Sequence, residues 1–158
     1  MRLLTRGIAA VVLLSGIYVG FAASPASAAP ARTITFSGHV SIRDYDSPDA
    51  DDICERDVRV SNVADYQSLP QVRLESTQRC DEARVRIRFN ASLNSSGTFT
   101  VSGSVKLDEE DWDGWDTVGW ESVPTFTLRT GGSQSVTKHF DDGDQAATTV
   151  AITFSNSA

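Results

Sequence analysis

Apolar and polar residues alternate along most of the chain after residue 32. The segment VRIRF at 85–89 shows the pattern, with every second side chain apolar. A period of two is typical of β-strands that have one face against a core and the other in water. Strands are predicted at 33–42, 58–61, 84–89, 99–107, 125–128 and 149–154, with weaker candidates at 72–74 and 136–140.

Turn-forming residues separate these segments, as in Ser47-Pro48-Asp49 and Gly131-Gly132, and no stretch has the period of an amphipathic helix. About eight short strands with turns between them predict an all-β fold. We expect a single antiparallel Greek-key β-sandwich domain spanning residues 29–158.

Two stretches of the chain, 33–58 and 98–123, align without a gap. Both contain a Ser-Gly pair inside an apolar strand, at Gly38 and Gly103, followed two residues later by valine. A glycine inside a strand indicates a bulge or a close approach of another backbone. The alignment predicts an internal repeat that forms two halves of one sandwich, the alternative being coincidence between similar strands.

The first 28 residues have the features of a secretory signal peptide. Arg2 and Arg6 precede an apolar stretch at 7–23, and a small-residue cleavage site follows at 26–28. This order predicts export and removal of residues 1–28. A retained transmembrane helix is the weaker alternative, because the apolar stretch is short. We therefore expect a secreted protein that is not transmembrane.

Cys54 and Cys80 are the only cysteines. In an oxidising compartment they predict one disulfide, worth about 3 kcal/mol on the chain-entropy model, whereas two reduced thiols are the alternative. The formal net charge of −7 argues against nucleic acid as a partner. Two cysteines and two histidines are also too few for a Cys/His zinc finger.

Carboxylates are concentrated in two loops that follow the long strands of the repeat, at 44–52 and 108–116. Carboxylates this close repel one another, and a hard cation relieves the repulsion, since Ca²⁺ takes six to eight oxygen ligands at about 2.3–2.6 Å. The alternative is that the loops are solvated turns that keep a secreted protein soluble. The candidate ligands are Asp44, Asp46, Asp51, Asp52, Glu109, Asp111, Asp113 and Asp116.

The pattern D-x-D-x4-D-D followed by an apolar residue resembles a calcium-binding loop of C2 domains. The first loop ends in Asp51-Asp52-Ile53, and the second in Asp116 followed by Thr117-Val118-Gly119. The resemblance implies an eight-stranded sandwich with two acidic loops at one end and Ca²⁺ as cofactor. The second loop also resembles part of an EF-hand, although no helices flank it.

Aromatic and basic residues add two further predictions. Trp112 and Trp115 lie within the second acidic loop and are predicted to contact a ligand surface, whereas Trp120 is expected to cap the core. Arg84, Arg86 and Arg88 form either a basic stripe for anionic lipid or polysaccharide, or a cross-strand ladder with acidic neighbours. The acidity of the chain favours the ladder.

Together these features predict a secreted, non-catalytic, calcium-stabilised binding module whose target is a membrane or glycan surface. One alternative is a structural or protein-binding secreted domain without a metal. A second is a small hydrolase that uses a pair of carboxylates. The sequence gives no nucleophile motif beside its two histidines, so we assign no catalytic residue.

Overall fold

The computed structural model describes residues 30–45, 52–143 and 145–158. The predicted signal peptide at 1–28 lies outside this part, as do the loop residues Asp46 and Asp51. The described residues contain no helix with the length and apolarity needed to cross a membrane. The strands are β1 Arg32–Asp44, β2 Asp52–Ala64, β3 Gln71–Cys80, β4 Ala83–Leu93, β5 Phe99–Asp111, β6 Gly114–Leu128, β7 Ser133–Asp141 and β8 Ala146–Ser157.

The eight strands form two four-stranded antiparallel sheets, with the orders β2-β1-β8-β7 and β3-β4-β5-β6. The all-β prediction is confirmed, and both weaker candidate strands, 72–74 and 136–140, are strands. The Greek-key connection is not confirmed. Strands that pair with each other are neighbours in the chain, except that β1 pairs with β8. The strands therefore follow one another up and down, and the pairing of β1 with β8 connects the first strand to the last.

Aromatic rings fill the centre between the two sheets. Phe36, Phe89 and Phe154 are fully buried, and Phe126 packs against them. Their ring centroids lie 4.7 to 6.3 Å apart at steep interplanar angles. Edge-to-face contacts of this kind add to the free energy gained from burying the rings. The inward residues of the period-two pattern therefore form a packed core.

The two glycines of the predicted repeat occupy equivalent places in two hairpins. Gly38 pairs with Val58 across β1 and β2, and Gly103 pairs with Val123 across β5 and β6. A Cβ atom at Gly38 would lie 2.0 Å from the carbonyl oxygen of Ala151, and one at Gly103 would lie 2.2 Å from that of Arg88. The predicted close approach of another backbone is confirmed, while common descent of the two hairpins stays a prediction.

A disulfide between Cys54 and Cys80 joins the two sheets, with a Cα–Cα distance of 5.6 Å. Cys54 belongs to β2 and Cys80 to β3, the edge strands of different sheets. The predicted pairing is confirmed. Because no backbone ladder connects β2 to β3, the covalent bond holds this side of the molecule closed.

Replacing both cysteines with alanine is expected to lower the free energy of unfolding by about 3 kcal/mol, since the unfolded chain regains the freedom of the closed loop. Urea unfolding followed by tryptophan fluorescence measures the loss. The double substitution avoids a lone reactive thiol. Wild-type protein under reducing conditions serves as the control and should lose a similar amount. Equal stability of the oxidised wild type and the variant would contradict the prediction.

Candidate functional site

Four hairpin turns meet at one end of the fold, which we call the acidic end. Antiparallel strands reverse direction at each turn, so β1–β2, β3–β4, β5–β6 and β7–β8 are all connected on the same side. Asp44 and Asp52, which flank the first predicted acidic loop, therefore lie at the same end as the second loop. Its described carboxylates are Asp44, Asp52, Asp81, Glu82, Glu109, Glu110, Asp111, Asp113, Asp116, Asp141 and Asp142.

Three exposed carboxylates of the β5–β6 turn lie together. One oxygen from each of Asp111, Asp113 and Asp116 falls within 4.8 Å of the others. The chain can reverse this sharply because Gly114 has a φ of 141°, which side chains rarely tolerate. Asp111 Oδ1 also accepts a hydrogen bond from the Trp112 backbone N–H at 2.6 Å. The turn thus brings three carboxylate oxygens close enough together to contact one cation.

A cleft of about 580 Å³ adjoins these carboxylates. Its walls come from three of the four turns and carry oxygen atoms and one indole ring. The lining residues are Glu82, Glu109, Glu110, Asp111, Trp112, Asp116 and Gln145. The abundance of carboxylates makes the cleft attractive to cations and repellent to anions.

The remaining predicted ligands have different surroundings. Asp44 is buried and accepts a hydrogen bond at 3.0 Å from the backbone N–H of Glu82. Asp52 is exposed and pairs with Asp44 where the β1–β2 loop begins and ends. Glu109 is buried at the inner side of β5 and lines the cleft. The structure therefore brings three predicted ligands into one cluster and places a fourth beside it.

Asp108 belongs to the acidic loop of the sequence but is neutralised within the protein. It is fully buried and accepts hydrogen bonds from Arg86 Nε at 2.5 Å, Arg86 Nη2 at 2.7 Å, Thr117 Oγ1 at 2.9 Å and Arg84 Nε at 3.2 Å. Burial raises the pKa of this carboxyl. The hydrogen bonds, with that from Arg86 foremost, lower the pKa by a larger amount, so the net shift is downward.

The cross-strand ion pairs predicted for these arginines are present. Arg84 and Arg86 pair with Asp108, and Arg88 pairs with Glu75 on the neighbouring strand, with Nε and Oε1 3.1 Å apart. Each carboxylate faces the arginines across a strand pair, so the side chains meet on the outer surface of the sheet β3-β4-β5-β6.

The three tryptophans have three environments. Trp112 is 91% exposed at the turn, as predicted. Trp115 is partly buried beneath two guanidinium groups, with the Cζ atoms of Arg84 and Arg79 at 3.8 and 4.8 Å from its ring centroid. Trp120 was expected to cap the core, and this prediction is wrong, because its side chain is 59% exposed.

An irregularity between strands explains the position of Trp120. The register between β5 and β6 shifts between Leu107 and Asp108. Beyond the shift, Trp120 pairs with Lys106, whose side chain points outward, while Gly119 pairs with the buried Leu107. A one-residue shift changes the face that a side chain occupies, and sequence alternation alone does not locate it.

A histidine cluster on β1 and β2 was missed by the sequence analysis. His39 Nδ1 lies 3.1 Å from Asp57 Oδ1, and its Nε2 contacts Glu55 Oε2. Ser41 Oγ donates to the same Glu55 carboxylate at 2.8 Å. Hydrogen bonds that His39 donates to Asp57 first and to Glu55 second raise its pKa, and the bond to His39 lowers the pKa of Glu55. Only the strand register brings these residues together, so no local motif marks the cluster.

His39 is expected to stabilise the fold only at low pH. The pKa of His39 is higher in the folded protein than in the unfolded chain, where it is about 6.5. The stabilisation is therefore fully present below pH 6.5 and is lost as the pH rises through the pKa of His39 in the folded protein. NMR titration of the ring should give a midpoint above 6.5. Glu55→Gln should move that midpoint down, and an unchanged midpoint in this variant would contradict the assignment.

Comparison with known proteins does not assign this chain to a family. No protein-family model and no curated protein matches the chain. Among solved structures, the ywiB protein from Bacillus subtilis is similar at 15% sequence identity and a TM-score of 0.26, covering 79% of this chain and 92% of that one. A likeness this weak carries no argument about function.

Proposed function

We propose that this protein is an exported, non-catalytic binding module whose acidic end binds Ca²⁺. The observation that carries the proposal is the cluster of Asp111, Asp113 and Asp116 at a turn where three other acidic hairpins also end. The Cys54–Cys80 disulfide and the signal sequence support a place outside the cytoplasm.

A cation would relieve the electrostatic repulsion among the three aspartates of the cluster. Three exposed carboxylates within 4.8 Å destabilise the β5–β6 turn when they are ionised together. A divalent cation with hard-oxygen preference replaces this repulsion with attraction, and water molecules complete its coordination in an open site. Glu109 lines the adjoining cleft and adds negative potential without being required as a direct ligand, whereas Glu110 is paired with Arg79.

Trp112 connects the cation to the proposed binding role. Its side chain is almost fully exposed between Asp111 and Asp113, two members of the cluster. A cation held by its neighbours would fix the turn and hence the direction of the indole ring. An exposed aromatic ring on a fixed turn is a suitable contact for a membrane or glycan surface, because it combines apolar area with low entropy cost.

Calcium is expected to raise the melting temperature by several degrees, because a ligand that binds only the folded state stabilises it. At a free concentration 100 times the Kd, the gain is about 2.7 kcal/mol. Thermal unfolding in Ca²⁺ and in chelator measures the shift. Asp113→Asn should abolish the shift, whereas Asp142→Asn, an exposed carboxylate at the same end but outside the cluster, should retain it.

Magnesium at the same concentration tests the preference for calcium, since it demands tighter octahedral geometry and gives up its water reluctantly. No shift with millimolar Ca²⁺ in the wild type, or an equal shift in the Asp113→Asn variant, would overturn the proposal. The acidic turns would then be solvated surface, as in the alternative of a structural or protein-binding domain.

A further inference from the structure

The outer surface of the sheet β3-β4-β5-β6 carries more positive than negative charge, although the chain as a whole is acidic. The alternation of these strands directs six cations and three carboxylates outward from β3, β4 and β5. The cations are Arg73, Arg79, Arg84, Arg86, Arg88 and Lys106, and the carboxylates are Glu75, Asp108 and Glu110. The excess of positive charge distinguishes this face from the acidic end.

The cations at the centre of the face are held in place. The side chains of Arg84 and Arg86 are 22% exposed, and that of Lys106 is 29% exposed. Asp108 fixes both guanidinium groups through their Nε atoms, and the Trp115 ring lies against Arg84. Side chains immobilised in this way lose little further entropy when they bind a ligand.

Hydrogen-bond donors remain on these groups. Within the described part of the chain, Arg84 uses only Nε as a donor, and Arg86 uses Nε and Nη2. The Lys106 ammonium stands 3.8 Å from Asp108, beyond hydrogen-bond distance. Terminal guanidinium and ammonium groups with unused N–H bonds bind carboxylate and sulfate oxygens strongly.

An exposed tryptophan lies in the same row of the sheet as these donors. Arg86, Lys106 and Trp120 follow one another in a single row across β4, β5 and β6. Ser104 and Ser122 occupy the next row and offer hydroxyl groups. The combination of an exposed indole, fixed cations and neighbouring hydroxyls is suited to a ring that is apolar on its face, polar at its edge and negatively charged.

We propose that this surface, which we call the Arg–Trp face and define by Arg84, Arg86, Lys106, Trp115 and Trp120, binds an acidic polysaccharide. Sugar rings would stack on Trp120, and their carboxylate or sulfate groups would pair with Arg84, Arg86 and Lys106. Charge complementarity selects the anion. The hydroxyl groups of Ser104 and Ser122 beside these cations favour a glycan over a membrane.

Isothermal titration calorimetry with a galacturonate oligosaccharide and a heparin-derived oligosaccharide tests the proposal, at low ionic strength and in chelator. Chelator separates the result from the calcium proposal, because the Arg–Trp face includes no member of the aspartate cluster. Trp120→Ala should weaken binding at least about fivefold, and Lys106→Ala about tenfold. The two oligosaccharides distinguish carboxylate from sulfate as the preferred anion.

Two matched variants serve as controls. Tyr66→Ala removes an exposed aromatic side chain between β2 and β3, and Arg129→Ala removes a cation outside the face. Both should bind as the wild type does. The proposal is overturned if neither oligosaccharide binds, if a neutral dextran oligosaccharide binds equally well, or if Tyr66→Ala weakens binding more than Trp120→Ala. Tighter binding to anionic vesicles or to single-stranded DNA would also overturn it.

Discussion

Alanine at Gly38 or Gly103 is expected to lower the free energy of unfolding by about 4 kcal/mol, near the upper end for single substitutions. The added Cβ would lie 2.0 Å from the Ala151 carbonyl oxygen in one case and 2.2 Å from that of Arg88 in the other. Both obstacles are backbone atoms of a paired strand, so they cannot rotate away as a side chain could. Relief requires that two strands separate and that their hydrogen bonds lengthen.

Serine neighbours provide the control for this prediction. Ser37→Ala and Ser102→Ala change the residue before each glycine and add no atom, so each should alter stability by less than about 1 kcal/mol. Urea unfolding of the four variants measures the difference. A loss below about 1 kcal/mol in both glycine variants would show that the strands have room to move, against the packing described above.

Asp108→Asn should lower the free energy of unfolding by about 3–5 kcal/mol. The substitution keeps the shape of the side chain but removes the charge that two guanidinium groups share. The amide nitrogen would also face donors that need an acceptor. Removing the carboxylate leaves the two guanidinium groups partly buried without a counter-ion. This loss of stability exceeds the net stabilisation that the intact ion pair provides.

The pH dependence of this loss is part of the prediction. The pKa of Asp108 is lower in the folded protein than in the unfolded chain, where it is about 3.9. The stabilisation from Asp108 is therefore present above that pH and disappears as the pH falls through the pKa of Asp108 in the folded protein. The gap between wild type and variant should therefore narrow in acid. Asp111→Asn, at an exposed position and measured in chelator, should change stability by no more than about 0.5 kcal/mol. A gap for Asp108→Asn that stays constant down to low pH would contradict the assignment.

Sequence alternation located the strands well because each strand has one inward face. The segment 84–89 lies inside β4 with Val85, Ile87 and Phe89 fully buried, as the period requires. The disulfide was predicted from the two cysteines and the expected export of the chain. Arrangement of the strands was harder, because the pairing of β1 with β8 joins residues from opposite ends of the chain, and no local pattern reports it.

The site was predictable only in part, for the same reason. Carboxylate density marked the β5–β6 turn, and Asp111, Asp113 and Asp116 lie together because they share one hairpin. Asp108 looked identical to its neighbours in the sequence, yet strand pairing places it opposite Arg84. Trp120 depended on a register shift, and His39 on the pairing of β1 with β2. Contacts across strands therefore decide which charged residues remain available to a ligand.

Pairing of the first and last strands also fixes how the molecule is presented. Thr33 pairs with Ser157, so the outer ends of β1 and β8 lie side by side, at the pole opposite the four acidic turns. A fusion partner or solid support attached through Ala158 would therefore leave the carboxylate-bearing pole pointing away from the attachment. Immobilisation through Ala158 keeps the aspartate cluster accessible to solution.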